Sequence, residues 1–183
     1  EGGRTPQIVF MVNTEAGETA RDLYEDLYKP GLYSDLWFRW HGKPLMICDP
    51  EKADPEIRSF FTLRAAHWPF TLVNTPYAWH WETAYPQVYG YTTDPRVPEQ
   101  VNVSVAQNLR GSDGKVTAMS NGDARGRSFH NGSFDKSPGA VNHGYNFQEQ
   151  WGRALSLDTP FVMGPGWTEC IAGRFARPGH DVM

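Results

Sequence analysis

The stretch that decides the fold is "PQIVFMVNTEAGETARDLYEDLYKPG", residues 6–31. Its first eight residues form a short continuous apolar run, the pattern of a strand buried on both faces. In the residues that follow, apolar side chains recur on one helical face, and Lys29, Pro30 and Gly31 end the helix. That face consists of Ala20, Leu23, Tyr24, Leu27 and Tyr28. The stretch therefore predicts a strand followed by a helix.

The same order of signals continues along the chain. A second apolar run ends at Asp49, and "ADPEIRSFF" offers Asp54 as a helix N-cap with Pro55 at the first helical position. A closing helix over residues 146–158 leads directly into an apolar run. Strand-length runs occupy residues 44–48, 61–68, 77–85, 101–108 and 160–167. Strands without alternation, separated by helices or long loops, predict an α/β fold with a parallel sheet.

Chemically versatile side chains stand just past the ends of about six predicted strands. They are Asn13, Asp49, His67 with Trp68, Glu82, Gln107 and Glu169. In a (β/α)8 barrel the active site is built at that end of the strands, so this recurrence predicts a barrel of the TIM type. Such a barrel takes about 250 residues, so roughly two strands are missing at the start of this 183-residue chain. We therefore expect residues 1–183 to form one incomplete barrel domain, the alternative being an open doubly wound sheet.

Residues 109–142 are rich in Gly, Ser, Asn and Asp. This composition predicts a long loop, and a loop of such length in a compact domain is usually functional or disordered. Arg127 and His130 lie in this segment and can reach into a cleft.

Composition excludes several classes of function. The net charge of −4 and the scattered Lys and Arg residues give no phosphate-binding surface, so nucleic acid is not an expected partner. No apolar run approaches 18 residues, and the first ten residues lack the features of a signal peptide, so the sequence predicts neither a membrane span nor its own export signal. Nucleotide-binding motifs are absent, and no cofactor is predicted. Cys48 and Cys170 are interpreted as buried free thiols, with a single disulfide between them left open.

Aromatic residues make up 14% of the chain, and many stand beside polar side chains. Sugar-binding clefts use aromatic faces against the apolar side of a pyranose, while polar neighbours bind its hydroxyl groups. These residues are equally compatible with a packed core. The candidate sugar-binding residues of this kind are Trp68, His80, Trp81, His143 and Trp167.

Two carboxylates remain as candidates for catalysis. Hydrolysis of a glycosidic bond needs one carboxyl group as the acid and another as nucleophile or base. Glu82 stands among aromatic residues that would raise its pKa, and Glu169 precedes Arg174, which could hold it ionised. The structural alternatives are a Glu169–Arg174 ion pair and a backbone-bonded Glu82. Asp49, His67, His80 and Glu82 could instead hold a metal ion, although no ligand motif ties them together.

Three segments resemble a known group of proteins. They are "YAWHWETAYPQVYG", "EQVNVSVAQN" and "HGYNFQEQWGRALSLDTPFVMGPGWTECIAGRF". The third segment contains the last predicted helix and strand of the chain. The last resembles the end of barrel glycoside hydrolases related to families 71 and 99, where the strand finishes in "GWNEW". Glu169 matches the Glu of that motif, whereas Thr168 and Cys170 replace its Asn and second Trp.

The resemblance implies a hydrolase of poly- or oligosaccharides, secreted or periplasmic. Ala172 stands where family 99 has its second carboxylate, so that family's mechanism is not inherited and the second carboxylate is sought at Glu82 or Asp49. Expected partners are a carbohydrate and the remainder of the barrel or another chain. The competing hypotheses are a non-catalytic carbohydrate-binding barrel and a metal-dependent hydrolase.

Overall fold

The computed structural model describes residues 5–67, 75–118 and 121–165. The chain divides into two compact units, one formed by residues up to His67 with Tyr77–Trp79, the other mainly by the residues from His80 onward. Each unit is described by itself. Four predicted site residues, Trp68, Trp167, Glu169 and Arg174, lie outside the described residues, as does Cys170.

A sheet with parallel strands organises the first unit. Its strands are β1 (Phe10–Met11), β2 (Arg39–Trp40), β3 (Lys43–Ile47), β4 (Thr62–His67) and β5 (Ala78–His80), hydrogen-bonded in the order β1-β3-β4-β5 with β2 beside β3. Met46 of β3 lies opposite Phe10 on one side and Leu63 on the other, both in parallel register. The strand β2 is antiparallel to β3. The prediction of parallel strands here is confirmed.

The first helix follows β1 as predicted. α1 (Ala16–Leu23) continues into a wider turn over Tyr24–Tyr28, and Gly31 ends it with a positive φ of 75°. The predicted apolar face is buried through Ala20, Tyr24 and Tyr28. The ring of Tyr28 lies 4.6 Å from those of both Trp37 and Phe61, so aromatic packing fixes the helix on the sheet.

The second helix, α2 (Pro55–Phe60), begins where the sequence indicates. The Asp54 carboxylate accepts the backbone N–H groups of Glu56 and Ile57 at 2.9 and 3.0 Å, and Pro55 takes the first position. Two otherwise unbonded helix donors are thereby satisfied. The N-cap prediction is confirmed.

The second unit combines short strands with one longer helix. In its described part the strands are β6 (Tyr89–Gly90), β7 (Gln100–Asn102), β8 (Gln107–Arg110), β9 (Ala124–Arg125), β10 (Phe129–His130), β11 (Ser133–Phe134) and β12 (Phe161–Met163). The strand β7 pairs with β12 in parallel and with β6 antiparallel. The helix α3 (Tyr145–Leu157) confirms the predicted closing helix, and β12 follows it.

The opposite faces of β7 explain how α3 packs. Val101 and Val103 lie on one face and form a core with Ala154, while Gln100 and Asn102 lie on the other. Side chains two residues apart share a face of a strand, so the alternation separates an apolar face from a polar one. This polar face carries the candidate site described below.

Two predictions for this unit were too simple. The run 101–108 is not one strand, because the Ser104 N–H leaves the ladder and donates to the Gln150 side chain at 2.8 Å. Residues 109–142, predicted as a loop, contain β9, the hairpin β10–β11 and part of β8. Asn131 and Gly132 have φ of 48° and 75°, as a two-residue hairpin turn requires.

The described residues thus form a mixed α/β structure with parallel strand pairs and three α-helices. Across these residues, every helix is too short or too polar to cross a bilayer.

Candidate functional site

Three buried side-chain amides, those of Gln100, Asn102 and Gln107, hold the segment from His80 to Thr83. Gln100 accepts the His80 N–H at 3.0 Å and donates to the His80 carbonyl at 2.9 Å. This pair of bonds is the one that a neighbouring strand would otherwise make. Gln107 donates to the Thr83 carbonyl at 2.9 Å, so the far end of the segment is fixed as well.

A further bond fixes the side chain of Thr83. Its hydroxyl donates to Oδ1 of Asn102 at 2.7 Å, and both residues are almost completely buried. Asn102 and Gln100 share the polar face of β7, so one strand contacts both ends of the segment. The conformation of the His80–Thr83 segment is therefore set by hydrogen bonds as well as by apolar packing.

Glu82 lies inside this fixed segment, directly before Thr83. Its exposed fraction is 7%, while the neighbouring Trp81 is half-buried and His80 is buried. A carboxylate removed from water is energetically costly unless it is paired or serves a function. The structure thus brings together three predicted site residues, His80, Glu82 and Gln107, through Thr83 and the amides of β7 and β8.

A second layer of amides connects this segment to α3. Gln87 donates through Nε2 to the carbonyl groups of Asn102 at 2.9 Å and Gln150 at 3.2 Å. Gln150 in turn donates to Oδ1 of Asn146 at 2.9 Å, one helical turn earlier. Gln87, Gln150 and Asn146 are each at most 1% exposed. Buried amides of this kind fix a single arrangement when they are bonded.

Three buried polar atoms of this layer have no hydrogen-bond partner among the described residues. They are Gln87 Oε1, Asn102 Nδ2 and Ser104 Oγ. Such atoms usually bind ordered water, so the layer has capacity for a water-mediated extension of the network.

The start of α3 gathers three other predicted site residues. Asn146 donates its backbone N–H to the Arg127 carbonyl at 3.1 Å and its side-chain amide to the Phe129 carbonyl at 3.0 Å. The Tyr145 ring lies 4.5 Å from that of His130 and stacks on that of His143 at 5.2 Å. Arg127, His130 and His143 therefore lie around one helix terminus.

The histidines at this helix terminus lie near a backbone carbonyl and a carboxylate. His130 Nδ1 lies 3.1 Å from the Ser128 carbonyl, and because a carbonyl only accepts, this nitrogen carries the proton. Hydrogen bonds from Ser137 hold the pKa of Asp135 below its ordinary value, and the charges of His130 and His143 act in the same direction. With Nδ1 bonded to the Ser128 carbonyl, Nε2 is the ring nitrogen of His130 that remains for another partner.

A surface cleft lies beside this helix, with a volume of about 490 Å³. We call it the α3 cleft. Six of its lining residues are used below: Tyr85, His130, Tyr145, Glu149, Gly152 and Arg153. Glu149 accepts the Asn131 N–H at 2.8 Å, which attaches the tip of the β10–β11 hairpin to α3. The volume falls within the range of about 300–1,000 Å³ that small-molecule sites have.

The remaining predicted site residues lie in the first unit. Asn13 and Asp49 stand two residues after the ends of β1 and β3, and His67 ends β4, so all three lie at the carboxyl edge of the parallel strands. Burial lowers the pKa of His67, and the charge of Asp49 opposes that shift, so these two side chains interact electrostatically. That all predicted residues share one cleft stays a prediction.

Sequence reasoning missed the residues that hold the site. Gln100 and Asn102 alternate with valines in "QVNVS", and this period of two signals a strand with one polar face. Asn146 and Gln150 are four residues apart on a helix, the spacing at which side chains meet. Gln87 carries no comparable signal.

Metal binding has no cluster to support it in the described ranges. There, no group of three or more His, Cys, Asp or Glu side chains is arranged to hold a metal ion. Cys48 is a free, buried thiol whose pKa is raised mainly by burial. Its sulfur lies 3.7 Å from the Ala16 carbonyl, in a structural position.

Comparison with protein-family models, curated proteins and solved structures finds no match to this chain. The function is therefore argued from its own residues.

Proposed function

We propose that this chain is a glycoside hydrolase that acts on a poly- or oligosaccharide, and that its strands belong to a partial (β/α)8 barrel. The parallel pairs β1–β3 and β3–β4 of the first unit support the barrel proposal. Asn13, Asp49 and His67 at the carboxyl edge of the first unit support a site at that edge. The "GWTEC" resemblance supports the carbohydrate chemistry.

The observation that carries the proposal is the burial of the Glu82 side chain on a firmly held stretch of backbone. Hydrogen bonds from Gln100 and Gln107 fix the backbone on both sides of this residue. A catalytic acid must keep one geometry, and a fixed backbone supports that requirement. We assign Glu82 the role of the catalytic acid and Glu169 the role of nucleophile or base. The proposed substrate is a carbohydrate, and the proposed location of the protein is outside the cytoplasm.

The test replaces Glu82 by Gln in the full-length protein. Size and hydrogen-bonding capacity are retained, but the proton that protonates the leaving oxygen is lost. We expect hydrolysis of a panel of chromogenic glycosides to fall by a factor on the order of a hundred or more. Thermal melting should change little.

The matched control is Glu99→Gln. Glu99 is also a buried carboxylate, 6% exposed, but it precedes β7 at the amino end of that strand. Barrel active sites do not use that end, so activity should survive this change. Equal losses for both variants would contradict the assignment of Glu82. Carbohydrate binding without hydrolysis in the unchanged protein would favour a non-catalytic binding role.

A further inference from the structure

The α3 cleft contains a guanidinium, that of Arg153, with no carboxylate partner among the residues that the structure describes. Arg153 lines the cleft, and its Nε–H is shielded from solvent without an acceptor among the described residues. Glu149 stands one turn earlier, but its carboxylate accepts the Asn131 N–H, and no ion pair joins it to Arg153 in the described part of the chain.

Open space lies next to this arginine. Gly152 is in the interior of α3, where glycine costs about 1 kcal/mol relative to alanine. A Cβ built on Gly152 would meet no atom within 4 Å. The absence of a side chain there does not serve packing against a neighbour, and it keeps the cleft wide beside Arg153.

Aromatic and imidazole groups complete the cleft. Tyr85 is 45% exposed, and the Tyr145 ring contacts that of His130 at a tilt and stacks on that of His143. An exposed aromatic ring such as that of Tyr85 can bind the apolar face of a pyranose. Nε2 of His130 can accept a hydrogen bond from a sugar hydroxyl, because Nδ1 is bonded to the Ser128 carbonyl.

We propose that the α3 cleft is a subsite for a sugar unit that carries an anionic group, with Arg153 binding that group. A guanidinium offers two parallel N–H donors, which match a carboxylate or a sulfate ester. The sugar part of this proposal rests on the proposed function, whereas the anion preference rests on Arg153 alone. The substrate class is therefore an acidic polysaccharide, either uronate-bearing or sulfated.

The experiment measures binding of small probes by backbone amide chemical shifts in the full-length protein. The probes are methyl β-glucuronide, methyl β-glucoside 6-sulfate and neutral methyl β-glucoside, with acetate and inorganic sulfate as sugar-free anions. We expect at least one anionic glycoside to bind about tenfold more tightly than the neutral one. The stronger of the two identifies the anionic group.

Three variants locate the effect. Arg153→Gln should remove the tenfold preference without changing neutral-sugar binding, and Arg153→Lys should retain part of it. Gly152→Met should weaken all the glycosides by filling the open space, which provides a test that does not depend on Arg153. Arg96→Gln is the control, since it makes the same charge change at a side chain that is 88% exposed and paired with Asp94.

Several outcomes would overturn the inference. They are a preference that survives Arg153→Gln, equal binding of neutral and anionic glycosides, and free acetate or sulfate binding as tightly as the glycosides. Failure of the hydrolase proposal is distinguishable: no glycoside would be cleaved, yet the Arg153-dependent preference would remain. Hydrolysis of neutral glycosides without any anion preference would remove only the subsite.

Discussion

In the candidate site, side-chain amides make the hydrogen bonds to backbone groups that a neighbouring strand would otherwise make. Gln100 bonds both polar groups of His80, and Gln107 bonds the carbonyl of Thr83, so a segment without a strand partner on that side keeps its backbone satisfied. Because buried backbone groups must be bonded, these amides permit the chain to stay buried where regular pairing has ended. Glu82 owes its fixed position to them.

Replacing Gln100 by Met tests this dependence. Met matches the length of Gln but removes the two hydrogen bonds from the side-chain amide to the His80 N–H and carbonyl, in a buried place. We expect the free energy of unfolding to fall by about 2–4 kcal/mol in urea titrations. Gln148→Met on the exposed side of α3 is the control and should stay within about 0.5 kcal/mol. A loss no larger than the control's would show that His80 finds other partners.

Local rules predicted single residues well when the chemistry was local. Asp54 was identified as an N-cap because capping involves only the next three residues, and the structure confirms it. The contacts of Gln87 with Asn102 and Gln150 span 15 and 63 residues, and no local rule encodes such a distance. The position of Glu82 in the sequence was visible, but the amides that hold it were not.

At the scale of elements, α3 has two different faces. One face packs toward Val101 of β7 and the adjacent Val103, through Phe147, Trp151 and Ala154. The other face borders the cleft with Gly152 and Arg153. The apolar spacing predicted the first face, and the helix bounds agree within one residue at each end. The second face was not predicted, because exposed polar residues on a helix have no preferred pattern.

Gly152→Ala should stabilise the protein. The added methyl group meets no atom within 4 Å, so the change reduces the freedom of the unfolded chain without a steric cost. We expect a gain of about 0.5–1 kcal/mol in the free energy of unfolding. Gly17→Ala is the contrasting variant, because its Cβ would clash with the Lys52 carbonyl, and it should destabilise. A loss of stability in Gly152→Ala would mean that α3 depends on glycine there.

At the scale of the whole molecule, parallel pairing was predicted correctly where apolar runs are continuous, as in β1, β3 and β4. The short antiparallel strands β6, β9, β10 and β11 were missed. Two-residue strands carry no periodicity, although the Asn131–Gly132 dipeptide was a recognisable hairpin signal. Pairing between such strands is set by the surrounding packing, which the sequence does not display.

Stability in acid should depend on one arginine. Arg21 bonds the carboxylates of Asp54, Glu56 and Glu25, and hydrogen bonds from Arg21, Lys29, Tyr24 and the start of α2 hold their pKa values below the ordinary range. A carboxyl group with a lowered folded pKa stabilises above its unfolded pKa of about 4 and loses that effect as pH falls through the folded value.

Arg21→Gln should therefore lower the melting temperature at pH 7 by an amount on the order of 2 °C, since these ion pairs are solvent-exposed. The difference from the unchanged protein should shrink below about pH 4 and disappear near pH 2. Lys52→Gln makes the same charge change outside this ion-pair group and should lack the pH dependence. A gap that persists in strong acid would contradict the electrostatic origin.

The contact between Glu149 and the hairpin tip has a consequence for how this protein can diversify. The Glu149 carboxylate accepts a hydrogen bond from the backbone N–H at position 131 and not from a side chain. Every residue except proline therefore supplies the same donor. Residues that accept a positive φ can be exchanged at the tip while its attachment to α3 persists. The side chains at this rim can thus change by single substitutions, with the scaffold beneath it left as it is.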